Sequence, residues 1–488
     1  MKIILAGYNL DYETIQNIKN APPELEELTP ETVAAAYARI SRSPKPVNEL
    51  RTLARVAVDK ARQSNRNIVF EMGHSSIAEH AVFNIDVIGV SRMLVEEIEK
   101  FRLCSYTEKS QRYVLLQDDF VIPEEIRQAG LEKTFVAMIR EQNRFYHNLY
   151  EKLRPHVFTQ HPDLAADPKN RSLLEGWAKE DARYIISLAT ETQLGLTLNA
   201  RNLELMLRRL AANPLAEAGL YSRKLYEATK NIAPSLIRYT DSTDYDRLTR
   251  LTLREAAASL AAVQVNRKPA TEQESVILCE STPNADDRVL ASLLHSSSRM
   301  SMYRCQEIVH RMNDKEKQNI IKTALRHLQA YDPVLREFEQ VDLHFELIVS
   351  ASCFAQLKRH RMATLTSQDY DPALGVTIPP AVAAIGMDQA FEDVIARTGE
   401  VYEQIREKAP AAAGYILTNA HRKRVALKVN ARELYHMARL RADRHAQWDI
   451  RDLTARMLDL GKAIMPLTLM LATGKDGFAN RYQEIFST

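Results

Sequence analysis

Five short landmarks occur twice in this chain, in the same order, and that doubling constrains its fold more than any other feature. Ile3-Ile4-Leu5 returns as Val276-Ile277-Leu278, and Lys100-Phe101-Arg102 as Arg359-His360-Arg361. Ile122-Pro123 returns as Ile378-Pro379, Asn199-Ala200-Arg201 as Asn430-Ala431-Arg432, and the spaced set Lys230, Ile232, Pro234 as Lys462, Ile464, Pro466. The offsets are 273, 259, 256, 231 and 232. A period of that length is a whole domain, not one unit of a solenoid. The largest step falls between the third and fourth landmarks, so the first copy carries about 25 extra residues, placed within 150–180. Gln264 to Pro269 is polar, ends in proline and reads as a linker. The expected domains are therefore 1–268 and 274–488.

A chain of 488 residues exceeds one ordinary domain of about 150 residues. Its 45% hydrophobic and 26% charged residues are those of a globular protein with enough apolar material for a core in each half. Lysine plus arginine number 65 against 63 acids, a net charge of +2. That balance supplies no general field for nucleic acid or an anionic membrane, although a local cationic pocket stays open. Cys104, Cys279, Cys305 and Cys353 form no C-x-x-C pair and no zinc spacing, which fits a reducing compartment. The apolar run Ile3 to Gly7 is too short for a signal peptide and reads as a β-strand. No stretch of about 18 apolar residues exists for a spanning helix. The expectation is a cytoplasmic protein with no membrane or nucleic-acid partner. Apolar residues at helical spacing predict helices over 31–40, 47–63, 132–153, 203–210, 245–263 and 388–408. Alternating or β-rich stretches predict strands over 82–88 and 343–349. The fold class is a helix-rich α+β domain, made twice.

Three segments concentrate polar chemistry. Gly73-His74-Ser75-Ser76-Ile77-Ala78-Glu79-His80 holds two histidines and a glutamate, but their spacing is not the His-x-x-x-His of a helical metal site, and no metal is expected. It is followed by Gly89-Val90-Ser91-Arg92 and by Ser105-Tyr106-Thr107-Glu108-Lys109-Ser110-Gln111-Arg112-Tyr113. The latter packs hydroxyls, a carboxylate and an arginine into one short loop, which suits a phosphate plus a polar ring or else a solvated turn. Gln356-Leu357-Lys358-Arg359-His360-Arg361 ends an apolar stretch with cations. These suit a phosphate, a diphosphate or a flavin edge, or the cationic cap of a helix C-terminus. From Asn430 to Arg441 a continuous helix would set its two ends about 20° apart in azimuth. Arg432 and His436 stand at i and i+4. The helix either aims polar groups at a site or shows a charged outer face.

Taken together, these segments resemble the flavin-dependent thymidylate synthases. That family's pattern joins R-H-R-x-x-S-x-x-E-x-S-x-R-Y to a preceding G-H-x-S-x-x-E-H and a following N-A-R, L-R and A-Q-W-x-I-R. The last matches Ala446-Gln447-Trp448-Asp449-Ile450-Arg451. The resemblance covers both copies. It implies the family fold twice in tandem, each a central β-sheet flanked by helices. It also implies a homotetramer with sites between subunits, FAD as cofactor, and dUMP and methylene-tetrahydrofolate as substrates. NADPH would be the reductant and dTMP the product. No enzyme nucleophile attacks the uracil in this family, so the lack of an obvious catalytic cysteine is no objection.

Measured against the family pattern, the copies have diverged in complementary ways. The first keeps Ser105, Glu108, Ser110, Arg112 and Tyr113 but has Lys100-Phe101-Arg102 for R-H-R. The second keeps Arg359-His360-Arg361 but then reads Thr364, Ser367, Asp369, Asp371 and Pro372. The first keeps His74, Ser76, Glu79 and His80, and the ungapped equivalents in the second are Pro333, Leu335, Phe338 and Glu339. Arg183 of the first faces Gly414 in the second; Arg441 and His436 of the second face Leu210, with Arg209 adjacent, and Leu205. Asn199 and Arg201 persist. In the family one subunit lends the S-x-R loop while its partner lends R-H-R and the final arginine. If the copies act as pseudo-subunits, one composite site per chain is complete and the reciprocal one is dead.

The resemblance implies that Ser110, Arg112 and Arg183 hold the nucleotide phosphate, with Glu108, Lys109, Gln111 and Gln356 as further substrate contacts. Arg359 and Arg441 would meet the pyrimidine, with His436 a third catalytic candidate. Arg359, His360, Arg361, Asn430, Arg432 and His436 would seat FAD, with His74, Ser76, Glu79 and Glu108 completing the seat. The expected assembly is a homodimer that mimics the family tetramer. Still open are one-carbon transfer to a different pyrimidine nucleotide, a non-catalytic FAD or nucleotide sensor, and a purely structural helical protein.

Overall fold

The computed structural model describes residues 1–18, 28–112, 114–116, 118–263 and 274–487. The anticipated linker and Tyr113 lie outside the described residues. The chain separates into two compact units, Met1–Pro269 with Ile385–Leu417, and Ala270–Ala384 with Thr418–Thr488. Each unit holds a four-stranded antiparallel sheet. In the first, β1 (Lys2–Tyr8), β2 (Val82–Ser91), β3 (Ser105–Glu108) and β4 (Glu191–Asn199) lie in the order β1-β2-β4-β3. In the second, β5 (Val276–Ser281), β6 (Asp342–Ser350), β7 (Thr364–Ser367) and β8 (Arg422–Asn430) lie in the order β5-β6-β8-β7. The duplication read from the landmarks is thus repeated in the topology.

The strands follow from period-two patterning. Leu194, Leu196 and Leu198 of β4 are buried, as are Val425, Leu427 and Val429 of β8. In the second unit these residues join Leu343, Phe345 and Leu347 of β6 and Leu434, Met437 and Met457 in one core. One irregularity separates the sheets. The register of β2 against β4 shifts between Ile88 and Val90, whereas β6 pairs with β8 without a shift. The extra residue is Gly89, at φ +71°, a left-handed conformation that favours glycine and marks a bulge. It makes β2 ten residues long and β6 nine. The offset between copies is therefore one larger before the bulge than after it.

Helices begin where short polar side chains can cap them. Ser91 and Ser350 cap Arg92–Ile98 and Ala351–Leu357, and Asn199 and Asn430 cap Ala200–Ala211 and Ala431–Arg441. The helix expected over 47–63 is two, Val47–Val56 and Val58–Arg66, broken at Ala57 (φ −135°, ψ 66°). Both halves pack on the alanine-rich helix Glu31–Arg39, with Leu50, Ala54 and Ala61 in one small core beside Ala35 and Ala36. Asn65 donates from the second half to the Glu31 carbonyl at 3.0 Å. The break lets both halves reach that core. The extra residues of the first copy take the form of a long helix and one more. Glu132–Gln160 has 29 residues against 21 in Asp388–Lys408, and Arg171–Ala182 follows it. The segment Ile385–Leu417 belongs to the first unit by its contacts. Gln142 Nε2 donates to Thr398 Oγ1 at 2.9 Å and to the Ile416 carbonyl at 3.1 Å, and Tyr415 Oη donates to Glu217 at 2.8 Å. Among the described residues no helix is long and apolar enough to cross a membrane.

Candidate functional site

In the first unit the loop after β3 meets the extra helix. β3 pairs with β4 and ends at Glu108 opposite Leu194. Glu108 forms an ion pair with Arg92 and accepts from Thr192 Oγ1 at 3.3 Å. Burial opposes the Arg92 charge, but Glu108 and Glu99 beside it hold the guanidinium above its ordinary value. Lys109 is exposed, its N–H bound to the Gln193 carbonyl at 2.9 Å. Ser110 Oγ accepts from Arg112 N at 3.2 Å and so shapes the turn, and Gln111 is buried. Arg112 Nε donates to Glu180 Oε2 at 2.6 Å, from the end of Arg171–Ala182. Arg183 follows that helix and is buried; burial pushes it below the ordinary arginine value, Glu180 opposes this, and Arg112 and Arg92 add to it. Three arginines and two carboxylates thus form one semi-buried cluster. Two of these, Arg92 and Glu180, carried no role in the sequence reading. Arg92 stood within a quoted motif, but Glu180 lies in the insertion, where no family pattern points to it.

In the second unit the R-H-R turn meets the helix Ala431–Arg441. Arg359 and Arg361 are exposed, while His360 is buried between them. His360 Nδ1 lies 3.2 Å from Glu433 Oε1, and Arg441 Nε donates to His360 Nε2 at 3.0 Å. Arg441 Nη2 reaches the Gln356 carbonyl at 3.4 Å, and the Gln356 side chain donates to Gln447 Oε1 at 3.3 Å. Asn430 is the helix N-cap, accepting from Glu433 N at 2.8 Å. His436 Nδ1 is 3.1 Å from Arg439 Nη2, and Arg439 Nη1 also donates to the Asp332 carbonyl at 3.2 Å. Burial holds His436 below the ordinary histidine range; Glu433 opposes this, and Arg439, Arg441 and Arg432 add to it. A cavity of about 250 Å³ opens along the helix, with Arg432, Tyr435, His436, Arg439, Lys475 and Phe478 among its walls. His360, Glu433 and His436 place one ligand atom each within 4.8 Å of the others. That trio has metal-like spacing, but both His360 nitrogens are already hydrogen-bonded and three arginines surround it. The set suits hydrogen bonding and anions better than a cation.

The first copy's G-H-x-S-x-x-E-H segment is a 3-10 turn, Ser75–His80, with His74 and Ser76 exposed. Its Glu79 binds Arg201 Nη1 at 2.5 Å, so this motif and N-A-R meet in space. The second unit has the same bridge, Arg432 Nη1 to Glu339 Oε1 at 3.0 Å. An ungapped comparison pairs Glu79 with Phe338. The Gly89 bulge accounts for the one-residue slip, and Glu339 is the true equivalent. At the other end the copies do differ. The positions of Arg92, Glu108 and Thr192 are Ala351, Ser367 and Lys423 in the second copy. There the buried Lys423 Nζ sits 3.7 Å from the Phe354 ring centroid and 4.0 Å from that of Tyr370, a cation–π box in place of an arginine cluster.

The family whose description is thymidylate synthase complementing protein matches the chain at residues 24–235 and again at 277–467. A UPF0159 protein of Thermoplasma acidophilum is 24% identical over 442 residues, covering 82% of this chain and 86% of its own. A flavin-dependent thymidylate synthase of Clostridium tetani is 31% identical over 214 residues, covering 43% of this chain and 82% of its own. The UMP/dUMP methylase PolB of Streptomyces cacaoi, solved with 5-Br dUMP, covers 42% of this chain and 94% of its own at 16% identity and a TM-score of 0.32. The first relative spans both copies, the second about one. With the family model matched in both halves and the sheet order repeated, this chain belongs to the flavin-dependent thymidylate synthase family as a tandem duplication of its domain.

Proposed function

We propose that the chain is a methyltransferase that converts dUMP to dTMP, with methylene-tetrahydrofolate as one-carbon donor, FAD as cofactor and NADPH as reductant. The observation that carries this reading is the complementary retention of residues. The first copy keeps Glu108, Ser110, Arg112 and Arg183; the second keeps Gln356, Arg359, His436 and Arg441. Decay of an idle copy would strip one copy at random. Here each copy has lost these residues of the other, although Asn199 and Arg201 persist as Asn430 and Arg432, and this sorting supports both sets acting on one nucleotide per chain.

The roles follow from the chemistry of the groups. Arg112 and Arg183 offer charge-assisted bonds to a phosphate dianion, and Ser110 adds a hydroxyl donor. Glu180 and Glu108 hold the arginine cluster in place until the nucleotide arrives. Arg441 and Arg359 stabilise negative charge that develops on the pyrimidine as it is activated. The second unit fits a flavin nucleotide: its cavity joins a cationic edge, Arg439 and Lys475, to the flat rings of Tyr435 and Phe478. His436 and Arg432 stand at that cavity, and Arg359 and Arg361 are exposed cations of the same unit. FAD, when bound, supplies the hydride chemistry that no side chain can. His74 and Ser76, being exposed, remain available to a bound ligand. Four free cysteines fit a reducing, cytoplasmic setting. We propose a homodimer as the working assembly.

The test is tritium release from 5-tritiated dUMP by the purified, FAD-loaded chain, with UMP as the alternative nucleotide. Arg112→Ala and Arg441→Ala are each expected to lower turnover by about a hundredfold or more. Full turnover in either variant, or release only from UMP, would overturn the assignment.

A further inference from the structure

Arg441 is aimed by a histidine. A guanidinium can only donate, so the Nε2 of His360 that takes the Arg441 Nε–H at 3.0 Å is an unprotonated acceptor. The single proton of a neutral ring then sits on Nδ1, facing Glu433 Oε1 at 3.2 Å. His360 and Glu433 are 4% and 7% exposed, so water does not compete for these bonds. The equivalents of His360, Glu433 and Arg441 in the first copy are Phe101, Asn202 and Leu210. All three members are present in one copy and all three are replaced in the other, which is the behaviour of a unit.

We propose that His360 and Glu433 are positioning residues, which hold the Arg441 guanidinium in one orientation toward the substrate through a neutral, Nδ1-protonated imidazole, and that protonation of His360 releases it. The proposal rests on the reading that Arg441 meets the pyrimidine. On protonation, Nε2 gains a hydrogen and becomes a donor facing a donor. The Arg441 Nε–H loses its acceptor, and two positive charges stand side by side. The ionisable groups facing His360 are Glu433, which favours the charged ring, and Arg441 and His436, which oppose it along with burial. The balance lies below the ordinary histidine range, so the ring is neutral at pH 7.

The experiment compares the full-length wild type with His360→Phe, the residue of the first copy, and with Glu433→Gln. Steady-state rates on dUMP are measured across pH, beside the ¹⁵N spectrum of the histidine-labelled chain. His360→Phe is expected to lose about a hundredfold in kcat with a smaller change in KM, and to lose the acid limb of the pH profile. Glu433→Gln removes the charge that favours the imidazolium, so its acid limb moves to lower pH. Wild-type kcat and pH profile in His360→Phe would overturn the proposal. If the wild type itself released no tritium from dUMP, the functional reading would fail separately. The ¹⁵N spectrum then decides the positioning device: an Nδ1–H neutral ring at pH 7 supports it, and an Nε2–H or doubly protonated ring overturns it. The spectrum needs only the wild type, so misfolding of a variant does not blunt the test.

Discussion

Buried histidines in this chain divide into one that aims an arginine and one that serves the backbone. His421 Nδ1 accepts from the Thr418 N–H and from Thr418 Oγ1, each at 2.9 Å. Burial depresses its pKa to about 4. The unfolded chain takes up this proton near pH 6.5, so between those values the unfolded state binds more protons than the folded one. Stability is therefore lost as pH falls from about 6.5 toward 4, by roughly 3 kcal/mol at the lower end. His421→Asn, which keeps an acceptor but does not titrate there, is expected to flatten this dependence. Urea unfolding at pH 7 and pH 4.5 measures it, and an unchanged difference between the two would refute the account. At this scale the sequence showed which residue types were present but not their partners. Its place in a motif makes Arg112 a candidate phosphate ligand. Its carboxylate neighbour Glu180, 68 residues away, had no pattern to announce it.

Elements were more legible than contacts. Helical periodicity placed the long helices because a one-sided apolar stripe repeats along the chain. Two elements depart from the sequence pattern: the helix over 47–63 breaks at Ala57, and the Gly89 bulge displaces the comparison of copies by one residue and hides the Glu339–Arg432 bridge. Another glycine holds the end of the second unit. A Cβ on Gly474 would collide with the Ala442 carbonyl and approach Asp443 N to 2.8 Å. The same turn is latched by Asp476 N to Asp443 Oδ2 at 3.0 Å and by Lys475 N to the Arg439 carbonyl at 3.3 Å. It therefore braces the chain next to Arg441. Gly474→Ala is expected to cost about 1–3 kcal/mol through overpacking and to raise amide hydrogen exchange at 442–445 and 474–476. Wild-type protection of both segments would show that the turn tolerates the methyl group.

For the whole molecule the consequence is stoichiometry. Two intact domains would bind two nucleotides per chain, whereas complementary halves, as proposed, would bind one. Calorimetric titration of the FAD-loaded chain with dUMP is expected to saturate at one equivalent, and two equivalents would contradict the division of residues between copies. Sequence by itself determined the duplication, the extra residues of the first copy, the helix periods and the sorting of family residues. These are patterns along the chain, and local propensity and side-chain spacing record them directly. Only the tertiary structure decided which charges meet. It paired Arg112 with Glu180 and Arg92 with Glu108, joined Arg441 to His360 and Glu433, and gave Ile385–Leu417 to the unit of the first copy. The physical reason is distance along the chain. Residues 68 or 81 positions apart are brought together by sheet register and helix docking, which no local stretch of sequence encodes.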